Sequence, residues 1–442
     1  MNVSVYSIPL QLDENTYLLI NSRTGALDLV DEEVLRVLRN EIPPDETILD
    51  TLTERGHLTE LTPYQESECI KTMYDTYVQG HPVLHQHFIV LTYECNLQCP
   101  YCYLSDIQSK RESTVIDGPH IDTIFSIIAR LDESRYRIIL YGGEPLLRKN
   151  RDAVKKILET GDDLGYSFLV LTNGVLLRDF VEDFQPYEVA VQTTIDGPQQ
   201  IHDKRRFKKN GSGTFSEIIE GIDAALEAGL TCLLRTNIDA DNLSVLPEVV
   251  QLYHEKGWLH HPKVSMHVSP VFKKPGIQYT PIVPRSTVYD TVIAQTQKSP
   301  DIMHVSFDLK GAELFEQVFE KGELGPPRFW YCDAQSGTFV FDPFGDIYVC
   351  TEHVGEEQAR VGRYYPDLVW NDMYSEWRNR TIFTIPECRT CKYALFCGGG
   401  CGYEALTRFG TLCRPVCYNY EEVFSSVVPH LYRAVKKSHV DP

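Results

Sequence analysis

The chain has 442 residues, of which 43% are hydrophobic, and its 62 acidic and 42 basic side chains give a formal net charge of −20. That length predicts two or three packed units with a sizeable core. The acidic balance repels phosphate backbones and anionic lipid, so neither nucleic acid nor membrane is an expected partner, while a basic or neutral peptide is compatible.

The opening segment Met1-Asn2-Val3-Ser4-Val5-Tyr6 lacks the basic-then-apolar pattern of a signal peptide. No run approaches the roughly 20 apolar residues of a membrane helix. A cytoplasmic location is therefore expected, and in that reducing compartment thirteen cysteines with tight local spacings point to metal ligation before disulfides.

Residues 1–80 read as a small α+β module. Tyr17 to Asn21 and Ala26 to Val30 are strand-like apolar runs separated by a turn at Gly25. Asp31-Glu32-Glu33 leads into Val34, Leu35, Val37 and Leu38 at helical spacing, the pattern of an N-capped helix with acidic residues in its first turn.

Over residues 81–260 short apolar runs alternate with helical stretches. The predicted strands are Phe88 to Leu91, Arg137 to Tyr141, Phe168 to Leu171, Val189 to Thr194 and Thr231 to Asn237. The predicted helices are Ile121 to Leu131, Ala153 to Leu164, Phe215 to Leu230 and Leu246 to Lys256. Such alternation predicts βαβ units around a parallel sheet, with functional loops at the carboxyl ends of the strands.

Residues 261–325, with Pro275, Pro281 and Pro284 and a helical stretch from Ala312 to Lys321, are expected to bridge to a last segment, 326–442. There the texture changes: Cys332, Cys350, Cys388, Cys391, Cys397, Cys401, Cys413 and Cys417 account for eight of the thirteen cysteines. Cys69 and Cys232 fall on apolar patterns and are expected to be buried small hydrophobes.

Directly after the first strand of the parallel unit comes Cys95-Asn96-Leu97-Gln98-Cys99-Pro100-Tyr101-Cys102. Three thiolates on one loop can occupy three corners of an iron–sulfur cube and leave the fourth iron open for chemistry. On spacing alone, a zinc knuckle with a remote fourth ligand, or three unrelated cysteines, stays open.

The loop resembles the C-x3-C-x-Φ-C motif of the radical S-adenosylmethionine superfamily, with Tyr101 as the aromatic residue. Tyr141-Gly142-Gly143-Glu144-Pro145 resembles that family's GGEP motif, and Thr193-Thr194-Ile195-Asp196-Gly197-Pro198 with Arg206 its fourth-strand segment. The resemblance implies a partial (β/α)6 TIM-like barrel, a catalytic [4Fe-4S] cluster on Cys95, Cys99 and Cys102, and reductive cleavage of S-adenosylmethionine to a 5′-deoxyadenosyl radical. It further implies that Glu144 clamps the cofactor's amino group, Thr194 meets the ribose and Arg206 the carboxylate. Gly142, Gly143, Pro145, Thr172, Asn173, Asp196 and Asn237 would complete the cofactor's surroundings. Arg205 reads as a solvated cation and His202 as a structural residue.

The pattern from Cys332 onward is similar to the SPASM domain, which carries two auxiliary [4Fe-4S] clusters; a single structural zinc on residues 388–401 is the alternative. By the resemblance, Cys388, Cys391, Cys397 and Cys417 ligate the outer cluster and Cys332, Cys350 and Cys401 the inner one, with Cys417 preferred over Cys413. Gly325, Pro326 and Pro327 stand where a further inner-cluster cysteine would fall, which implies an open iron there.

Residues 18–31 resemble the precursor-peptide recognition element of peptide-modifying radical enzymes, a winged-helix-like module that takes a leader peptide as an added strand. A plain capping domain is the bland reading of the same segment. The resemblance implies a maturase of a ribosomal precursor peptide, installing a thioether or carbon–carbon crosslink or a related oxidation, with electrons from a low-potential flavodoxin or ferredoxin. The alternatives are a sulfatase-maturase-like enzyme forming formylglycine, and a non-catalytic, metal-stabilised peptide-binding scaffold. Against the sulfatase reading, Thr351 follows Cys350 where that family has aspartate; Glu352 and Asp333 are carboxylates that could serve as a base. Against the scaffold reading, the set Cys95, Cys99, Cys102 and Glu144 is intact.

Overall fold

The computed structural model describes all residues except 82, 111–113, 273–276, 297, 308–317, 319–320 and 439–442. The predicted helix over 312–321 lies almost wholly outside the described residues, as does Pro275. The chain divides into two compact units: residues 1–82, 309–335 and 379–442 form one, and residues 83–308 and 336–378 the other. This differs from the division expected from sequence texture. The amino-terminal module shares a unit with most of the carboxyl-terminal cysteines, and residues 336–378 belong with the parallel sheet.

In the first unit, β1 (Asn2–Val3) pairs antiparallel with β5 (Leu58–Thr59), and β2 (Ser7–Gln11), β3 (Tyr17–Asn21) and β4 (Ala26–Val30) form an antiparallel sheet in that order. The helices are α1 (Glu32–Leu38), α2 (Glu46–Glu54) and α3 (Pro63–Gly80). Each has a side-chain cap that meets an otherwise orphaned amide: Asp31 accepts from Val34 N at 3.2 Å, Asp45 from Ile48 N at 2.7 Å, and Thr62 and Gln65 form a reciprocal capping box.

The central strand β3 buries Leu18, Leu19, Ile20 and Asn21, and Leu19 packs with Val37, Leu52 and Leu58. A second core joins the module to the late segments: Tyr6 and Ile70 pack with Phe329, Ile382, Ile385, Cys388 and Leu395. Each such aliphatic side chain contributes roughly 1.5–3 kcal/mol. Tyr6 also donates its hydroxyl to the Arg389 carbonyl at 2.5 Å. Cys69 is exposed, contrary to expectation, because Glu66, Ser67 and Ile70 take the buried face of α3; Cys232 is buried.

The second unit is built on an eleven-stranded sheet. Its parallel strands are β6 (Gln86–Thr92), β7 (Arg137–Gly142), β8 (Ser167–Leu171), β9 (Val189–Thr194), β10 (Thr231–Ile238) and β11 (Val264–Pro270), each beside the next, with the short β12 (Ser306–Phe307) at the edge. Across β6 lies β13 (Thr338–Phe341), also parallel, followed by antiparallel β14 (Asp346–Tyr348), β15 (Gly362–Arg363) and β16 (Val369–Trp370).

The intervening helices are α4 (Ser105–Lys110), α5 (Gly118–Leu131), α6 (Arg151–Asp163), α7 (Leu177–Phe184), α8 (Gln199–Arg205), α9 (Phe215–Glu227) and α10 (Leu246–Glu255), with α11 (Arg285–Thr296) after β11. The six principal strands and their crossover helices make the partial β/α barrel. The bridging segment expected from residue 261 thus supplies β11, the sixth strand; its alternation, Val264-Ser265-Met266-His267-Val268, is polar enough to pass for a loop. Among the described residues no helix is long and apolar enough to cross a membrane.

Candidate active site

Along β10 the burial alternates: Cys232, Leu234, Thr236 and Ile238 are buried, whereas Leu233, Arg235 and Asn237 are only half-buried. A strand points successive side chains to opposite faces, so Arg235 and Asn237 share a face with Gln192 and Thr194 of the register-paired β9. All four line one cavity of ≈ 450 Å³ inside the second unit.

The rim of that cavity is the loop after β6. Cys95, Cys99, Tyr101 and Cys102 all face the space, and none of the three thiols is in a disulfide. Burial raises each thiol, Cys95 to about 12 and Cys99 to about 11; Glu144 adds to the effect at Cys95, while Arg206 opposes it at Cys99. A bound metal inverts this logic and holds such thiols deprotonated. Among the described residues no three His, Cys, Asp or Glu side chains converge to hold a single ion. Thiolates on a cubane each take a different iron, so convergence on one point is not required of them.

The loop is clamped from β7. The Gly143 and Glu144 amides donate to the carbonyls of Thr92 and Glu94, both at 2.9 Å. Gly142 adopts a φ of +138°, and a Cβ on Gly143 would lie 2.3 Å from the Glu94 oxygen. Only glycine lets the two chains meet so closely. The glycine pair therefore serves the cysteine loop's backbone while lining the cavity edge.

Glu144 does not present its carboxylate to the cavity. It is fully buried and accepts from Leu146 N at 2.9 Å, Thr172 Oγ1 at 2.6 Å and Asn173 N at 2.7 Å. Pro145 is buried with it. These hydrogen bonds tie Glu144 to the end of β8, where Thr172 and Asn173 line the cavity. Asn173 Nδ2 in turn donates to Asn96 Oδ1 at 2.7 Å and approaches Cys95 Sγ at 3.7 Å.

Asp196 is likewise fully buried and off the cavity wall. It accepts from the Tyr101 hydroxyl, and from Asn237 N at 3.0 Å, so it positions residues that do line the wall. Arg205, expected in solvent, is 4% exposed and forks onto Asp239 at 2.8 Å to each oxygen, with the Tyr101 ring 4.9 Å from its guanidinium. His202 is buried, receives Asp196 N at 3.3 Å and meets Thr214 at 3.2 Å, and burial lowers it to about 3, which keeps it neutral.

Arg206, like Arg235, is a cation on the cavity wall. It is 8% exposed, donates from Nη1 to the Tyr101 hydroxyl at 3.0 Å, and has no partner at its buried Nε. Such an orphaned guanidinium edge beside a cavity suits a carboxylate. The wall also holds residues that the sequence did not single out as site residues: Tyr103 and Tyr141, hydroxyl to hydroxyl, and Gln192. Glu352, two residues beyond Cys350, also lines the wall. The period-two alternation of β7 to β10 was the available signal for Tyr141 and Gln192.

In the other unit burial raises Cys388 and Cys397 to about 12, and the two thiols lie close enough to Cys391 and Cys417 for all to influence one another. Cys401 is raised to about 11 by burial and by Cys332. Cys413 is exposed. Cys350 belongs to the sheet-bearing unit.

Residues 89–252 match the family model for the Radical SAM superfamily. The radical SAM cyclopropyl synthase TigE of Paramaledivibacter caminithermalis is 20% identical, over 93% of this chain and 91% of that protein. A cysteine-type anaerobic sulfatase-maturating enzyme of Clostridium novyi is 21% identical, over 77% and 94%. Among solved structures, native anSMEcpe with bound AdoMet has a TM-score of 0.63 at 17% identity, covering 80% of this chain and 99% of that one. Streptococcus suis SuiB bound to precursor peptide SuiA has a TM-score of 0.55 at 16% identity, covering 93% and 98%. At these identities the likeness to the solved structures is one of fold.

Proposed function

We propose that this chain, whose residues 89–252 match the family model for the Radical SAM superfamily, is a radical S-adenosylmethionine enzyme that matures a ribosomally made precursor peptide by abstracting hydrogen from one of its residues. Cys95, Cys99 and Cys102 hold the catalytic [4Fe-4S] cluster, which when bound supplies the electron that splits S-adenosylmethionine into methionine and a 5′-deoxyadenosyl radical. Arg206 binds the methionine carboxylate through its open Nε edge, and Thr194 and Asn237 receive the ribose hydroxyls. Asn173 steadies the Cys95 side of the loop, and Asp196 holds Tyr101 and Asn237 in place. Cys388, Cys391, Cys397 and Cys417 hold an outer auxiliary cluster, and Cys332 and Cys401 contribute to an inner one. The reductant is a low-potential flavodoxin or ferredoxin of the cytoplasm.

The observation that carries the radical reading is the convergence of three undisulfided thiols and the orphaned Arg206 edge on one cavity. The peptide reading rests on the β2–β3–β4 sheet, whose edge strand β4 leaves Leu29 62% exposed beside an unpaired backbone side. It is further supported by the extent of similarity to SuiB bound to its precursor peptide, 93% of this chain against 80% for anSMEcpe. A formylglycine-forming reading is favoured by the sulfatase-maturating relative and by Glu352 on the cavity wall.

Anaerobic coexpression with a candidate precursor, followed by mass analysis, separates these readings. A crosslink removes a pair of hydrogens per bond and leaves nothing for an aldehyde reagent to capture. Formylglycine does react, and would replace the maturase reading. Leu29→Pro on the edge strand should abolish peptide modification while 5′-deoxyadenosine formation continues; undiminished modification would contradict leader binding at this edge.

A further inference from the structure

Arg380 is 1% exposed, and among the described residues no carboxylate pairs with it. Its guanidinium is spent on backbone instead. Nη2 donates to the carbonyls of Gly399 at 2.9 Å and Gly400 at 3.2 Å, in the glycine run between Cys397 and Cys401. Nη1 donates to Leu412 O and, at 3.0 Å, to Arg414 O, in the segment leading to Cys417. Nε is buried without a partner. The Arg380 carbonyl accepts from Gln335 Nε2 at 3.2 Å, and Gln335 Oε1 accepts from the Cys332 amide at 2.9 Å. One residue thus ties together the backbone around cysteines assigned to both auxiliary sites.

A buried cation with no carboxylate costs several kcal/mol unless another negative group offsets it. The groups acting on Arg380 are thiols: burial lowers its pKa, and Cys388, Cys401, Cys332 and Cys397 oppose that shift. Each cysteine-ligated cluster carries net negative charge, so the compensation runs both ways.

We propose that Arg380 is the shared counter-cation of the two auxiliary iron–sulfur clusters, a positioning residue that braces their ligand segments and makes both clusters easier to reduce. The inference rests on the auxiliary-cluster reading above. One-electron reduction adds one negative charge to a cluster and its thiolates, and a fixed cation within the same low-dielectric interior favours the reduced state. The electron comes from the same low-potential donor, or from dithionite in vitro.

The test is a redox titration followed by electron paramagnetic resonance on full-length protein carrying Cys95→Ala, Cys99→Ala and Cys102→Ala, so that only auxiliary signals remain. With Arg380→Gln the reduction equilibrium should shift at least tenfold toward the oxidised clusters, a fall of about 59 mV for a one-electron couple. Arg380→Lys, which keeps the charge, should stay near the parent potential. Loss of iron in the Gln variant with retention in the Lys variant would also support the proposal. Parent-like potentials in Arg380→Gln at full iron, an equal fall in both variants, or loss of iron from both would overturn it. A triple-alanine parent holding no iron would overturn the auxiliary-cluster reading itself, an outcome distinct from intact clusters that ignore Arg380.

Discussion

Arg206 and Asp342 show how burial gives single side chains their roles. Arg206 lines the cavity and keeps one buried donor unpaired, which is the donor proposed for the cofactor carboxylate. Arg206→Met should therefore weaken S-adenosylmethionine binding by about 3 kcal/mol, roughly a hundredfold, in anaerobic equilibrium binding at unchanged iron content. Asp342, in the same unit, is fully buried and accepts from the Tyr93 hydroxyl at 3.0 Å and from Phe344 N at 2.9 Å. Burial raises it from 3.8 to about 6, with the neighbouring Asp346 contributing. A folded-state pKa above the unfolded value means that its stabilising contribution is present below pH 3.8 and is lost as pH rises through about 6. Across that window the stability of the parent relative to Asp342→Asn should fall by about 3 kcal/mol, as read by denaturant unfolding at a series of pH values. A pH-independent difference would show that Asp342 is not titrating there.

At the scale of elements, the site is a set of strand ends held together by backbone. The cysteine loop after β6 is fastened by the amides after β7, and the close approach of Gly143 to Glu94 leaves no room for a side chain. Gly143→Ala should therefore displace the loop and strip the catalytic cluster, lowering bound iron by about four per chain while the circular dichroism of the barrel is retained. Full iron occupancy in that variant would show that the loop tolerates the shift. The alternation of strands and helices from β6 to β10 was legible because apolar runs and amphipathic helices repeat there with clear periods, and Val189–Thr194 was predicted to the residue. The internal partners of Glu144, Asp196 and Arg205 were not legible for one physical reason. Charge in a sequence suggests solvent or ligand, whereas all three are spent on internal hydrogen bonds that only three-dimensional proximity reveals.

At the scale of the molecule, the amino-terminal module and the late cysteines share one unit and one hydrophobic core, which residue order along the chain conceals. Removing residues 1–80 would expose Phe329, Ile382, Ile385 and Leu395 together with Cys388. Such a truncation should lose auxiliary iron and lower the unfolding temperature, in contrast to Leu29→Pro, which should affect peptide modification alone. A truncated protein that keeps its full iron and stability would mean that the two parts are independent. The return of residues 336–378 to the barrel sheet was equally hidden, because β13 pairs with β6 across some 250 residues of sequence and strand pairing at that range leaves no local pattern.

Cys95, Cys99 and Cys102 are proposed to carry a cluster that cleaves S-adenosylmethionine. The most direct test is chromatographic measurement of 5′-deoxyadenosine after anaerobic incubation of iron-reconstituted protein with S-adenosylmethionine and dithionite, alongside Cys99→Ala. The parent should release 5′-deoxyadenosine and Cys99→Ala none. Absence of the nucleoside from the fully iron-loaded parent, or equal amounts from both proteins, would contradict it.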